Sequence, residues 1–305
     1  MDLAQPVHAH DRLLTPSKIM AWLDCAHFLT LQHHVDAGTL ASPAAGFGPM
    51  ARVLMDKGLE HEQVCMAGYR AAGRAVFEVS AREVGESFAA WVARVGDPLR
   101  DGHDVVYQMP FVHGGVRGIA DFLIRIDHVD GTFSYEPVDA KLARAEAKPG
   151  HLLQLCFYAD AIEQLTGVLP EHVHISLGSG VTETHRVSEV IAYWHRLRRQ
   201  LLTVIEREVD LSTRPEPCRH CEFCTFAEHC QAQWRAEDSL IHVAGIRTRD
   251  RVALTASSVT TLAGLAVLDV PVAELDDTRR IALTAQAALQ AEATRILKSG
   301  HRSRC

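Results

Sequence analysis

Three cysteines in the run CEFCTFAEHC, Cys221, Cys224 and Cys230, stand far downstream of a lone one, Cys25. This pattern constrains the chain more than any other feature. If one metal centre takes sulfur from both places, the two ends of a domain must meet and everything between them is enclosed. The chain has 8 cysteines and no secretory signal, which points to a reducing compartment, where clustered thiols more often hold metal than form disulfides. Spacing alone favours a structural Zn2+ site. Cys218 adds a further thiol, and Cys218-x2-Cys221 is a rival pairing that would shift the ligand set by one step.

At 305 residues and 47% hydrophobic content, the chain can form one large domain plus a small one with a sizeable core. No window is apolar for long enough to span a membrane, and the N-terminus lacks a positive region followed by an apolar stretch. The expected location is the cytoplasm. A net charge of −7 argues against a protein that coats nucleic acid, because Lys and Arg supply most non-specific affinity for phosphate. It leaves room for an enzyme acting on phosphodiesters, since acidic residues that hold a cation also lower the total.

Thr15-Pro16-Ser17 reads as a helix start, with Ile19, Trp22, Leu23 and Phe28 at helical spacing, so Cys25 should sit on or just after a short helix. A Gly/Pro/Ala loop follows, then a helix from Val53 to Tyr69 with His61 in its middle. Strand signals dominate from AVFEVS through DVVYQMPFVHGGVRGIADFLIRIDHVDGTFSYEPVDAK, broken by His-Gly-Gly and Asp-Gly turns. His151 to Leu165 returns to a helical period, HVHISLG gives one more strand before a Val-Thr-Glu turn, and a long helix covers about 187–209. Beyond Cys230 the pattern is short helix, turn, short helix.

Hydrolysis of a phosphodiester needs carboxylates for a hard divalent cation and a cationic group near the attacked phosphate. Asp121, Asp139 and Lys141 are of these types. Asp139 and Lys141 are two apart on an expected strand and so share one face, whereas Glu136 and Ala140 have the opposite parity. The hairpin brings Asp121 beside Asp139 to share one metal. His61 is a candidate nitrogen ligand, which tilts the expected ion from Mg2+ towards Mn2+. Gln154 and Tyr158 share a helix face, where they can orient water, phosphate or a base. Each signal has a bland reading: an isolated Asp-x-Lys is usually a solvated pair, His61 a packed histidine and Tyr158 a core ring. The stretch His195 to Arg199 reads as a solvated basic face or as a path for a DNA strand. Cys65 and Cys156 read as small buried hydrophobes, and Cys305 as a terminal thiol without a role.

In this order, His61 of GLEHE, Asp121 of GIADF, Asp139 and Lys141 of VDAK, and Gln154 and Tyr158 of QLCFY resemble the PD-(D/E)XK nuclease superfamily. Within it they look like the RecB-like branch whose members carry a C-terminal iron–sulfur cluster, which includes AddB-type subunits and CRISPR-adaptation exonucleases. The motifs span about 15–232. The resemblance implies an α/β fold, with a central mixed β-sheet flanked by helices as in restriction endonucleases and a small helical C-terminal segment. It makes His61, Asp121 and Asp139 the metal positions for Mg2+ or Mn2+, Lys141 the catalytic lysine, and Gln154 and Tyr158 the motif that follows. It also makes Cys25, Cys221, Cys224 and Cys230 the ligands of a [4Fe-4S] cluster, in place of the Zn2+ that spacing favours.

The implied domains are a nuclease over 1–235, closed by the cysteines, and a helix-hairpin-helix-like segment over 236–305 that begins a further region. The implied activity is that of a metal-dependent deoxyribonuclease, an exonuclease on single-stranded DNA in repair, recombination or defence, with a helicase as a possible partner and no membrane. Two other classes stay open: a catalytically weak nucleic-acid-binding module of a helicase–nuclease assembly, and a redox-sensing iron–sulfur protein. Asp139 stands where many members have Glu, which the pattern permits. Ser257-Ser258-Val259 replaces a glycine expected in the second hairpin turn, which puts DNA-backbone binding there in doubt.

Overall fold

The structure, a computed structural model, describes residues 14–43, 49–143, 149–206 and 213–302. The expected loop at 44–48, the last residues of the helix expected over 187–209, and Cys305 lie outside them. The chain divides into two compact units, Met1–Arg214 and Pro215–Cys305.

The first unit is built on six strands, β1 (Val76–Glu78), β2 (Val105–His113), β3 (Val116–Asp127), β4 (Phe133–Lys141), β5 (His172–Leu177) and β6 (Thr182–Arg186). Their order in the sheet is their order in the chain. The sheet is mixed: β2, β3 and β4 form an antiparallel meander, β1 joins β2 in parallel, β4 pairs with β5 in parallel, and β6 closes antiparallel on β5. The His-Gly-Gly signal makes the turn between β2 and β3. Gly114 and Gly115 there take φ values of 55° and 78°, which only glycine adopts without steric cost.

Helices α1 (Pro16–Asp24), α2 (His27–Asp36), α3 (Pro49–Ala71), α4 (Phe88–Val95), α5 (Pro149–Thr166) and α6 (Val187–Glu206) flank this sheet. Helix α1 starts where its sequence signal places it: the Thr15 hydroxyl accepts the Lys18 N–H at 3.3 Å and Pro16 opens the first turn, two features that suit a helix N-terminus. Cys25 follows its last residue. Helix α5 is the crossover required between the parallel strands β4 and β5, and most of its residues from Leu153 to Ile162 are buried. On one side of the sheet Met66 of α3 packs with Val105, Tyr107, Phe122 and Val138. Alternation along β4 then leaves Asp139 and Lys141 on the opposite side to Val138 and Ala140.

Three local expectations change. The Val-Thr-Glu stretch read as a turn leads into β6. Helix α4, in a stretch taken for strand and loop, caps with Ser87, whose hydroxyl accepts the Ala90 N–H at 3.1 Å. The basic run His195 to Arg199 is only partly a solvated face. Trp194 and His195 each lie 3.1 Å from a carboxylate oxygen of buried Asp160, and Arg198 pairs with the same carboxylate.

The second unit has a separate core of Leu240, Val243, Leu254, Leu262, Leu265 and Leu283. Its helices are α7 (Ala227–Ala236), α8 (Thr248–Ala256), α9 (Leu262–Ala266) and a long α10 (Asp277–Arg302) that periodicity did not single out. Gly245 and Ser258 take left-handed φ values of 75° and 64°. The serine therefore adopts the conformation for which a glycine is suited. Among the described residues, no helix is long and apolar enough to cross a membrane.

Candidate active site

Antiparallel pairing of β3 with β4 registers Phe122 against Val138, which sets Asp121 and Asp139 side by side one step further along. The Oδ2 of Asp121 accepts the backbone N–H of Ala140 at 2.9 Å, and the two carboxyls are close enough for each to shift the other's protonation. Asp139 is 1% exposed. Lys141 Nζ donates to Asp139 Oδ1 at 2.9 Å and lies 2.9 Å from Oδ2 as well. The three residues that the sequence joined by chemistry are joined in space.

Burial, and after it the charge of Asp139, pushes the Asp121 carboxyl up to about 7. Two carboxylates this close cannot both carry charge cheaply in a dehydrated site. Burial opposes the charge on Lys141, but Asp139, Asp121 and Glu62 together outweigh it, so its pKa is raised and the ammonium is secure. One proton and one lysine thus neutralise a pair of buried acids.

Helix α5 brings two more of the expected residues to the same place. Gln154 Nε2 approaches Asp139 Oδ1 and Tyr158 Oη, each at 3.3 Å, and the Tyr158 hydroxyl donates to the Ile119 carbonyl at 2.5 Å. The helical spacing of four turns both side chains towards the middle of β3 and the end of β4. Gly118 is required at this contact, because a Cβ there would meet the rings of Phe157 and Tyr158 at 2.9 and 3.0 Å.

His61 takes a different position. Its Nε2 lies 3.0 Å from the Ser176 carbonyl on β5 and 3.9 Å from the Cys65 sulfur, a contact that metal ligation by this nitrogen would replace. Its neighbour Glu62, which sequence reasoning passed over, faces the acidic pair instead. Glu62 Oε2 accepts from Tyr107 Oη and Gln108 Nε2, both at 2.9 Å. Burial, then the charge of Asp121, raises its pKa. Gln108 falls between the registered pairs Tyr107↔Phe122 and Met109↔Ala120, across from Asp121. Its φ is 60°, a costly conformation for a non-glycine residue and one that concentrates at functional sites. The only hint of Glu62 in the sequence was a second acidic residue in GLEHEQ.

The donors suit a hard divalent cation, which takes carboxylate oxygen. Asp139 Oδ2 is buried and makes no well-aligned hydrogen bond, its one polar neighbour being the Lys141 ammonium at 2.9 Å, so a lone pair is left for a cation. Among the described residues, no group of three or more His, Cys, Asp or Glu side chains is gathered closely enough to hold a metal ion. A cation here would therefore rest on Asp121 and Asp139, with water and substrate oxygens as its other ligands, an arrangement common for Mg2+.

Cys25 belongs to the first unit and the later cysteines to the second, and each set is described within its own unit. Cys218 caps the turn Arg219–Glu222 and Cys221 lies within it, with their sulfurs 3.8 Å apart. Two sulfurs at ~2.3 Å from one tetrahedral metal adopt about this separation. Burial and then the hydrogen bond with Cys221 push the Cys218 pKa up to about 11 in the absence of a metal, and a metal would deprotonate a coordinating thiol outright.

A sequence model of the PD-(D/E)XK nuclease superfamily matches residues 31–231, a span that includes Asp121, Asp139, Lys141, Gln154 and Tyr158 but not Cys25. No curated protein matches the chain.

Proposed function

This chain belongs to the PD-(D/E)XK nuclease superfamily, and from that premise we propose that it is a metal-dependent deoxyribonuclease acting on single-stranded DNA from an end. The observation that carries the reading is the Asp121–Asp139–Lys141 cluster, from the middle of β3 and the end of β4, completed by Gln154 from α5.

Asp121 and Asp139 would hold Mg2+ or Mn2+, which when bound supplies Lewis acidity towards the phosphate and lowers the pKa of water. Asp121, whose carboxyl burial and Asp139 hold protonated up to about 7, would have to release that proton to serve as a ligand. The Lys141 ammonium neutralises charge that develops on the attacked phosphate. Gln154 donates a fixed amide hydrogen to Asp139, which keeps that carboxylate aimed, and Tyr158 anchors Gln154 through its hydroxyl. Glu62, held by Tyr107 and Gln108, is placed to accept a proton from the attacking water. Cys25, Cys221, Cys224 and Cys230 would ligate a [4Fe-4S] cluster that fastens the enclosing shell and has no part in the chemistry.

The test is cleavage of end-labelled single-stranded DNA by the purified full chain with Mg2+ or Mn2+, beside Asp139→Asn. The reading requires cation-dependent shortening by the wild type that the variant loses. Equal cleavage by both proteins would end it.

A further inference from the structure

A cavity of about 770 Å³ opens beside the acidic cluster, within the first unit. It falls inside the range of ~300–1,000 Å³ usual for small-molecule sites. Tyr107, Gln108 and Gln154 line it, and the same three side chains hydrogen-bond to Glu62 or Asp139. The cavity and the candidate catalytic cluster therefore share a wall. Its apolar side is aromatic, with Phe88 and Trp91 of α4 packed edge to face at 5.4 Å between ring centres. Its polar side carries two guanidinium groups, Arg82 and Arg117. Arg117 lies over the Phe88 ring at 5.1 Å, and Arg82, exposed at the rim, has Glu86 as a charged neighbour.

Phe88 and Trp91 are 6% and 5% exposed and form the floor on which Arg117 rests, so the Arg117 guanidinium is the plane presented to the recess, and with Arg82 at the rim it suits a nucleotide. Guanidinium planes and rings stack on bases whatever their sequence, and the charge meets the adjacent phosphate. A base inside a duplex cannot enter such a recess without being unpaired. Helix α4 supplies the aromatic side, and its position is fixed by Trp91 Nε1 donating to the Ser80 carbonyl at 2.8 Å and by Arg94 bridging Ser80, Ala81 and Glu86. The recess is thus built by packing that the acidic cluster does not need.

We infer that this cavity receives one unpaired nucleotide next to the scissile phosphate, its base against Arg117 and the α4 aromatic side and its phosphate facing Arg82 and Arg117. This rests on the nuclease reading for the words "scissile phosphate" alone; the nucleotide site itself stands on the cavity. It makes the enzyme selective for single-stranded ends through the shape of the recess.

The test measures binding of a fluorescein-labelled oligo(dT) ten-mer, and of a blunt duplex of the same length, to the full chain without added divalent cation. Arg117→Ala should weaken oligo(dT) binding roughly tenfold, and loss of one phosphate contact should reduce the salt slope by about 0.7. Ala81→Trp, a substitution at an exposed lining position that adds a side chain to the recess, should weaken it similarly with an unchanged melting temperature. Asp139→Asn should bind as the wild type does while failing to cut. Oligo(dT) binding at wild-type strength by Arg117→Ala and Ala81→Trp, or wild-type binding to duplex as tight as to oligo(dT), would overturn the nucleotide site. Absence of cleavage by a wild type that still binds oligo(dT) through Arg117 would sink the nuclease reading and leave the site standing.

Discussion

Gln108, with φ at 60°, donates its side-chain amide to Glu62 Oε2 at 2.9 Å. A residue in the middle of a strand thus holds a left-handed conformation, and its side chain anchors an acidic group from another element. Left-handed backbone costs about 1–2 kcal/mol in an L-residue, and a hydrogen bond to a carboxylate contributes about 1.5–3 kcal/mol. The contact therefore offsets the strain. Gln108→Gly should change stability by only about 1 kcal/mol, since relief of strain offsets the lost bond. Cleavage should fall at least tenfold, because Glu62 loses a fixed donor. Urea unfolding beside initial rates measures both, and a rate that follows stability alone would refute the positioning role.

Lys141→Ala leaves Asp139 buried beside Asp121 without the ammonium that pairs with it. Loss of the lysine should reduce the cleavage rate by ~10²–10³, the range for removing one group that stabilises transition-state charge. It should also raise the pH at which the carboxyl pair loses its proton. Rate measurements on folded variant, with circular dichroism as the check on folding, decide this.

Asp121 has its carboxyl pushed up to about 7 by burial and by Asp139, far above the ~3.9 of an unfolded chain. The folded state thus binds more protons between pH ~4 and about 7, and the stability from this group declines as pH rises through that window. Cation binding must displace the proton. Calorimetric titration with Mg2+ near pH 7, in buffers of differing ionisation enthalpy, should show proton release that disappears in Asp121→Asn.

Asp160 behaves in the opposite sense. Burial works against its charge, yet His113, Trp194, Arg198 and His195 outweigh it and hold its pKa well below the usual carboxylate range. Its stabilisation is present above pH ~4 and is lost as the medium acidifies through the depressed folded value. Asp160→Ala should cost about 3–5 kcal/mol, the loss expected when a buried ion pair is broken from one side, and should flatten the acid limb of the melting-temperature profile.

Cys25→Ser should strip iron and sulfide from anaerobically purified full chain, whereas Cys218→Ser should keep them, because Cys218 lies outside the proposed ligand set. Zinc in place of iron, or loss of metal with Cys218→Ser, would contradict the proposed ligand set.

Local signals fixed much of this protein in advance. Thr15 and Pro16 started α1, Gly114 and Gly115 turned β2 into β3, and the two-residue period put Asp139 and Lys141 on one face, since each depends on neighbours in the chain. Membership of Asp121, Gln154 and Tyr158 in one site was legible because their order along the chain resembles a family pattern. What the sequence could not carry were contacts between distant elements. Glu62 reaches the site and His61 turns to Ser176 because of the way α3 lies on the sheet, and adjacent helical residues differ by about 100° in direction. The strained Gln108, the inward turn of Arg198 to Asp160, and the recess between α4 and the sheet arise only once packing has chosen which side chains meet.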